Sequence, residues 1–166
     1  MSIKQILQDQ FNNCYEENGW FVALKNALAN VTVEQALWKA DGFDHSVWEA
    51  AYHLTFWNER WLKRYRKEPL EPGKNITIAE TFQAPENPTE ADWQAALEKL
   101  YSVMDAWKNI LENITEEKLA EQVSERYEAP WSAPLANINM HNAYHTGQIV
   151  VIRKLQGSWD AAKGVS

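Results

Sequence analysis

His141 and His145 stand four residues apart in the segment MHNAYHTGQ. On a helix that spacing puts both rings on one face, a turn apart, with about 5–6 Å between their Cβ atoms. Two imidazoles so placed can bind one metal ion. At 100° per residue they share a face with Ile138, Ile149 and Ile152. A polar ring on an apolar face costs free energy unless it finds a partner, so a pair there asks for an explanation. The motif alone is unspecific, since two surface histidines, each with its own hydrogen bond, satisfy it equally. The chain has only four histidines, however, and a third, His53, sits mid-helix in AAYHLTFWNE, one turn from Trp57. Periodicity does not by itself turn His53 toward the pair. If it does face them, three histidines from two helices leave coordination positions open for water or substrate.

Where the zinc-protease motif carries a general-base Glu beside its first His, this chain has Asn142. A base would have to come from elsewhere. Glu49, one turn before His53, can reach inward. Gln148, just beyond His145, can orient a ligand ring from behind. His45 precedes a helix start and reads as structural or exposed, with a place at a pocket mouth as the alternative. Asn58 falls within an apolar stripe, and Asn142, Thr146 and Arg153 make a second polar stripe. Both read as helix-to-helix hydrogen bonding, with cavity lining as the alternative for Asn58 and orienting a ligand as the alternative for the stripe. Tyr144 points sideways from the pair and reads as packing. Cys14 reads as a small core residue.

These side chains need long helices to position them. Residues 2–14 carry Ile3, Ile6, Leu7, Phe11 and Cys14 at helical spacing. Asn18-Gly19 interrupts or bends this helix, which is expected to resume from about Trp20 to Leu28. Thr32 caps a short turn through Trp38. Ser46 and Glu49 have capping-box spacing, and Val47, Ala50, Leu54, Trp61 and Tyr65 follow with a period near 3.6, ending at Lys67 to Pro69. Residues 67–88 hold Pro69, Pro72, Gly73, Pro85 and Pro88. So long a connection can cross the end of a bundle and let the next helix run parallel to the last. That helix starts near Thr89 or Glu90, with Trp93, Leu97, Leu100, Met104, Trp107 and Leu111 as its stripe. A short helical piece follows from Thr115 to about Val123, and residues 124–131 read as a loop. Ser132 caps the last helix, Pro134 lies in its first turn, and Gly157 stops it after Gln156. No segment alternates like a strand. The expectation is a single all-α domain over residues 1–166, with four long helices.

The composition of the 166 residues, 45% hydrophobic and 23% charged, is that of a globular protein. A formal net charge of −7 repels phosphate, which argues against nucleic acid and anionic membranes as partners. The one dense basic cluster, Lys63, Arg64, Arg66 and Lys67, ends a helix, where cations offset its dipole. A single cysteine forbids an intrachain disulfide. With no signal-peptide core and no apolar run of about 20 residues, the expected location is the cytoplasm. Nine tryptophans exceed what a small bundle core ordinarily uses, and they read either as a Trp-rich core or as residues some of which line a cavity or a subunit contact.

MHNAYHTGQIVVIRKLQG at 140–157, together with HSVWEAAYHLTFWNERWL at 45–62, resembles the DinB-like superfamily, which includes the YfiT-like metal-dependent hydrolases. The resemblance covers most of the chain. It implies a four-helix bundle with up-down-down-up topology and a long crossover between its second and third helices. It also implies one divalent metal ion, nickel or zinc first and iron or manganese after them, held at the positions of His53, His141 and His145. Trp57, Glu49, Gln148 and Asn142 are then the candidates for pocket or supporting positions. The activities it implies are transfer of a low-molecular-weight thiol of the bacillithiol type to an electrophile, metal-dependent hydrolysis, or a non-catalytic metal-binding stress-response role. A small-molecule substrate and a homodimer go with these. The lack of an obvious carboxylate base beside the His pair favours thiol transfer.

Overall fold

A computed structural model describes residues 1–70, 76–125 and 127–164. The chain is mostly helical. Its long helices are α1 (Ile3–Tyr15), α4 (Val47–Tyr65), α5 (Glu90–Asn113) and α7 (Ser132–Leu155). Between them lie α2 (Leu24–Leu28), α3 (Val33–Leu37), α6 (Glu116–Ala120), two single 3-10 turns and a hairpin of β1 (Gln122–Ser124) and β2 (Tyr127–Pro130). Local chemistry sets most helix starts. Ser2 and Thr115 each accept a hydrogen bond from the N–H three residues on. Thr32 with Gln35, Ser46 with Glu49 and Thr89 with Asp92 form full capping boxes, each satisfying two otherwise orphaned donors. Gly157, at φ +73°, takes the left-handed turn that ends α7.

The structure departs from the sequence reading in three places. Residues 20–23 are not helical, and α2 begins at Leu24. There the Asn18 side chain accepts the Ala23 N–H at 2.9 Å and Gly19 N–H bonds Phe21 O at 3.2 Å, so local bonds replace a helical ladder. Residues 122–124 and 127–130 pair as antiparallel strands rather than forming a helix end and a loop. Both strands are largely exposed, so no buried face imprints an alternating pattern on them. Ser132 is the first helical residue of α7 and not its cap. Trp131 holds the N-cap position, with no side-chain hydrogen bond.

Contacts fix how the long helices lie. At one end Trp48 packs on Trp93 with ring centroids 5.0 Å apart, and further along Tyr65 packs on Trp107 at 5.8 Å, so α4 and α5 run the same way. The described part of their connection, which carries Thr81, folds back against α4. Pro72 and Gly73 lie outside the described residues. Tyr65 also meets Trp131 at the start of α7, whereas His53 meets His145 well along it, so α4 and α7 run opposite ways. Helix α1 opposes α5, with Gln8 donating to Leu111 O and the Tyr15 hydroxyl to Asp105 at 2.7 Å.

Four of the tryptophans, Trp48, Trp93, Trp107 and Trp131, are buried. Trp93 Nε1 donates to Val31 O at 2.7 Å and Trp107 Nε1 to Asn58 O at 3.0 Å, so neither indole N–H is stranded in the core. Among the described residues no helix is long and apolar enough to cross a membrane.

Candidate metal centre

Three elements build the site: α4 supplies His53, α7 supplies His141 and His145, and the 3-10 turn Ala79–Thr81 closes over them. One ring nitrogen from each histidine lies within 4.8 Å of the others. Among the described residues no carboxylate or thiol joins this cluster. His53 and His145 are buried, each 7% exposed, and His141 is half-buried.

Hydrogen bonds decide which nitrogens point inward. The Thr81 hydroxyl donates its one hydrogen to Ile78 O at 2.7 Å. It can therefore only accept from His53 Nδ1, 2.9 Å away, which assigns the ring hydrogen to Nδ1 and leaves a lone pair on Nε2. Gln148 Oε1, an acceptor only, lies 2.6 Å from His145 Nδ1 and assigns that ring in the same way. The Nε2 atoms of His53 and His141 face each other at 3.0 Å. Two lone pairs so close repel unless a hydrogen or a cation lies between them. This donor set fits a divalent ion: three neutral imidazoles, two with their second nitrogen anchored as bound histidines usually are.

The rings are also held by stacking. Phe82 lies flat on His53, with centroids 3.9 Å apart and planes 13° apart, and His45 stacks on its other face at 3.6 Å and 4°. Burial, followed by the charges of His145 and His141, holds the His53 pKa down at about 3. Burial and then His145 hold His141 at about 4, and burial lowers His145 as well. His53 and His141 are neutral around neutral pH and stay so well below the ordinary histidine value near 6.5, and His145 is shifted in the same direction. The sequence alone would place ligand protonation near that ordinary value, and burial moves the window down.

Residues 22–149, most of the chain, match the family model of the DinB superfamily. The chain belongs to the DinB superfamily. Its fold is similar to that in the crystal structure of a conserved protein from Enterococcus faecalis, with a TM-score of 0.60 and 18% identity over 93% of this chain and 97% of that one. At that identity the likeness speaks for the fold alone. No curated protein matches the sequence significantly.

The other candidates of this DinB-superfamily chain fall in different places. Gln148 lies behind His145. Trp57 meets His53 edge-on at 6.4 Å. Glu49 does not turn to the cluster. One carboxylate oxygen accepts the Ser46 N–H at 2.7 Å and the other pairs with Lys39 at 2.8 Å. Asn142 is fully buried and exchanges hydrogen bonds with Asn58 at 2.8 and 3.3 Å, locking α7 against α4. Thr146 bonds its own helix at Asn142 O, and Arg153 donates to Ala27 O and Ser158 O. Tyr144 is exposed. The Cys14 thiol is buried beside Asn139 O, and burial pushes its pKa up to about 11, which leaves it unreactive. Sequence reasoning missed Thr81 and Phe82. They sit on the irregular connection, where no periodicity marks which residues turn inward.

Proposed function

We propose that this protein holds one divalent metal ion, nickel or zinc, on Nε2 of His53, His141 and His145, and transfers a low-molecular-weight thiol to an electrophilic small molecule. The observation that carries the reading is the converging set of neutral imidazoles with no carboxylate among them. Such an ion supplies Lewis acidity, which lowers the pKa of a thiol or water bound to it. The residues do the rest. Thr81 and Gln148 keep the ring lone pairs directed inward, and Phe82, backed by His45, covers one face of His53. Trp57, Trp61 and Ile138 form an apolar wall next to His141. A water attacking a stable bond needs a general base, and Glu49 is engaged at the start of α4, so hydrolysis is the weaker reading. A thiol, acidic near pH 8.5 when free, needs less help.

In the same reading the four long helices form an up-down-down-up bundle. The parallel course of α4 and α5 and the opposed course of α4 and α7 support it. The protein acts as a homodimer, and sedimentation giving a monomer at working concentrations would refute that part. The catalytic part is tested with zinc- or nickel-loaded protein, bacillithiol or glutathione, and a chlorodinitrobenzene. A rate that disappears on metal removal and in His53→Ala is expected. No metal-dependent rate with any thiol would contradict transfer.

A further inference from the structure

Beside the histidine cluster, between α4 and the first half of α7, lies a cavity of about 240 Å³. Trp57, Asn58, Trp61, Asn137, Ile138 and His141 line it. Its chemistry is uneven in an informative way. Two indoles and an isoleucine make up the apolar surface. Trp61 is braced edge-on by Tyr127 at 5.6 Å and Trp131 at 6.4 Å, with the Arg64 guanidinium 4.5 Å from its ring centre, so this wall is built before any ligand arrives. The Asn58 amide is already committed, donating to Leu54 O and Asn142 and accepting from Asn142. Besides the two indole N–H groups and the His141 ring, the exposed Asn137 carboxamide at the rim is the polar side chain available to a ligand. Among the described residues no formally charged side chain lines the cavity. His141 faces the cavity and also belongs to the histidine cluster.

We propose that this cavity is the binding site for the electrophilic substrate, and that it selects an uncharged molecule with a flat aromatic group carrying one amide- or carbonyl-type hydrogen-bonding group. The flat group lies against Trp57 and Trp61, where stacking on a large ring adds to area burial. Asn137 meets the polar group, and the reacting end points toward His141. A carboxylate or an ammonium in the same place would lose its hydration with no opposite charge among the lining side chains. This selectivity rests on the metal-centre reading for its role in a reaction, but not for the binding itself.

The test therefore uses metal-stripped protein beside zinc-loaded protein, with naphthamide and its charged near-isostere naphthoate as probes. Binding is followed by the indole N–H signals of Trp57 and Trp61 in proton–nitrogen correlation spectra, assigned with Trp57→Phe and Trp61→Phe. Naphthamide should shift both signals saturably in both forms of the protein, with naphthoate weaker by about tenfold or more in the metal-stripped form, where no cation stands beside His141. Trp57→Ala should lose the binding, whereas Trp57→Phe, which keeps a flat ring and guards against a folding artefact, should retain part of it. Equal binding of naphthoate to the metal-stripped protein, or no saturable shift at either indole, would overturn the proposal. Binding of naphthamide to protein that takes up no metal would leave this site standing and count against the metal reading alone.

Discussion

Replacing Thr81 with Val removes one oxygen and almost no volume, and so isolates the role of the hydroxyl. Two bonds go with it: the 2.7 Å donation to Ile78 O and the 2.9 Å acceptance from His53 Nδ1. A buried donor left without a partner costs about 1–3 kcal/mol, and His53 is only 7% exposed. The ring has a way to recover part of that cost. With the hydrogen on Nε2 it can donate to His141 Nε2, 3.0 Å away. That tautomer withdraws the lone pair a metal ion would use. Loss of a supporting hydrogen bond behind a ligating histidine typically weakens metal affinity by roughly 10–100-fold. The expectation is a fall of that size for zinc in Thr81→Val, with recovery of most of it in Thr81→Ser, which restores the oxygen. A competitive chelator titration reads the affinity. Nitrogen spectra of the His53 ring read the tautomer, which a purely structural role for Thr81 would not move. A folded Thr81→Val protein binding zinc as tightly as the parent, or a Ser variant no better than Val, would refute the reasoning.

Stability without metal should be full above about pH 6.5 and decline as the pH falls toward 4 and 3. The unfolded chain takes up histidine protons near its ordinary value, while folded His53 and His141 resist until about 3 and 4. Denaturant titrations at several pH values should show this slope, and His53→Gln should flatten it. An unchanged slope would place the acid sensitivity elsewhere. By the same logic, zinc should stay bound at pH values somewhat below the ordinary histidine range. Release with a midpoint at that ordinary value would contradict the burial argument. Asn142→Ala leaves Asn58 half-satisfied in the core, where such a group costs about 1–3 kcal/mol. Urea unfolding should show that loss, together with weaker zinc binding as the register of α4 against α7 loosens, and parental stability would argue against the amide pair as a lock.

The histidine cluster was legible because helical periodicity is strong: the spacing of His141 and His145 dictates a shared face whatever packs against it. That His53 faces them depends on packing between helices, which one helix's pattern does not encode. The buried Asn58–Asn142 pair, visible in sequence only as a polar interruption of two stripes, joins the two helices at that register. Helix starts were readable from the capping boxes at Thr32 and Ser46, since those bonds are local. The start of α7 was not, because Trp131 holds it by packing on Tyr65 and Trp61 rather than by a side-chain cap. Glu49 shows the reverse limit. Its place one turn before His53 made it a candidate base, yet the same capping chemistry that marked the helix start engages its carboxylate. The tryptophans divide as their surroundings dictate, with Trp93 and Trp107 in the core and Trp57 and Trp61 on a cavity wall.

The central claim is that three histidines from two helices hold one ion. It is tested most directly by metal content in protein purified without an affinity tag and dialysed against excess zinc. One equivalent of zinc per chain is expected in the parent. Loss of tight binding is expected in His141→Ala and in the His53→Ala, His145→Ala double variant, with helical content unchanged. A full equivalent of tightly held zinc in the folded double variant would contradict the account.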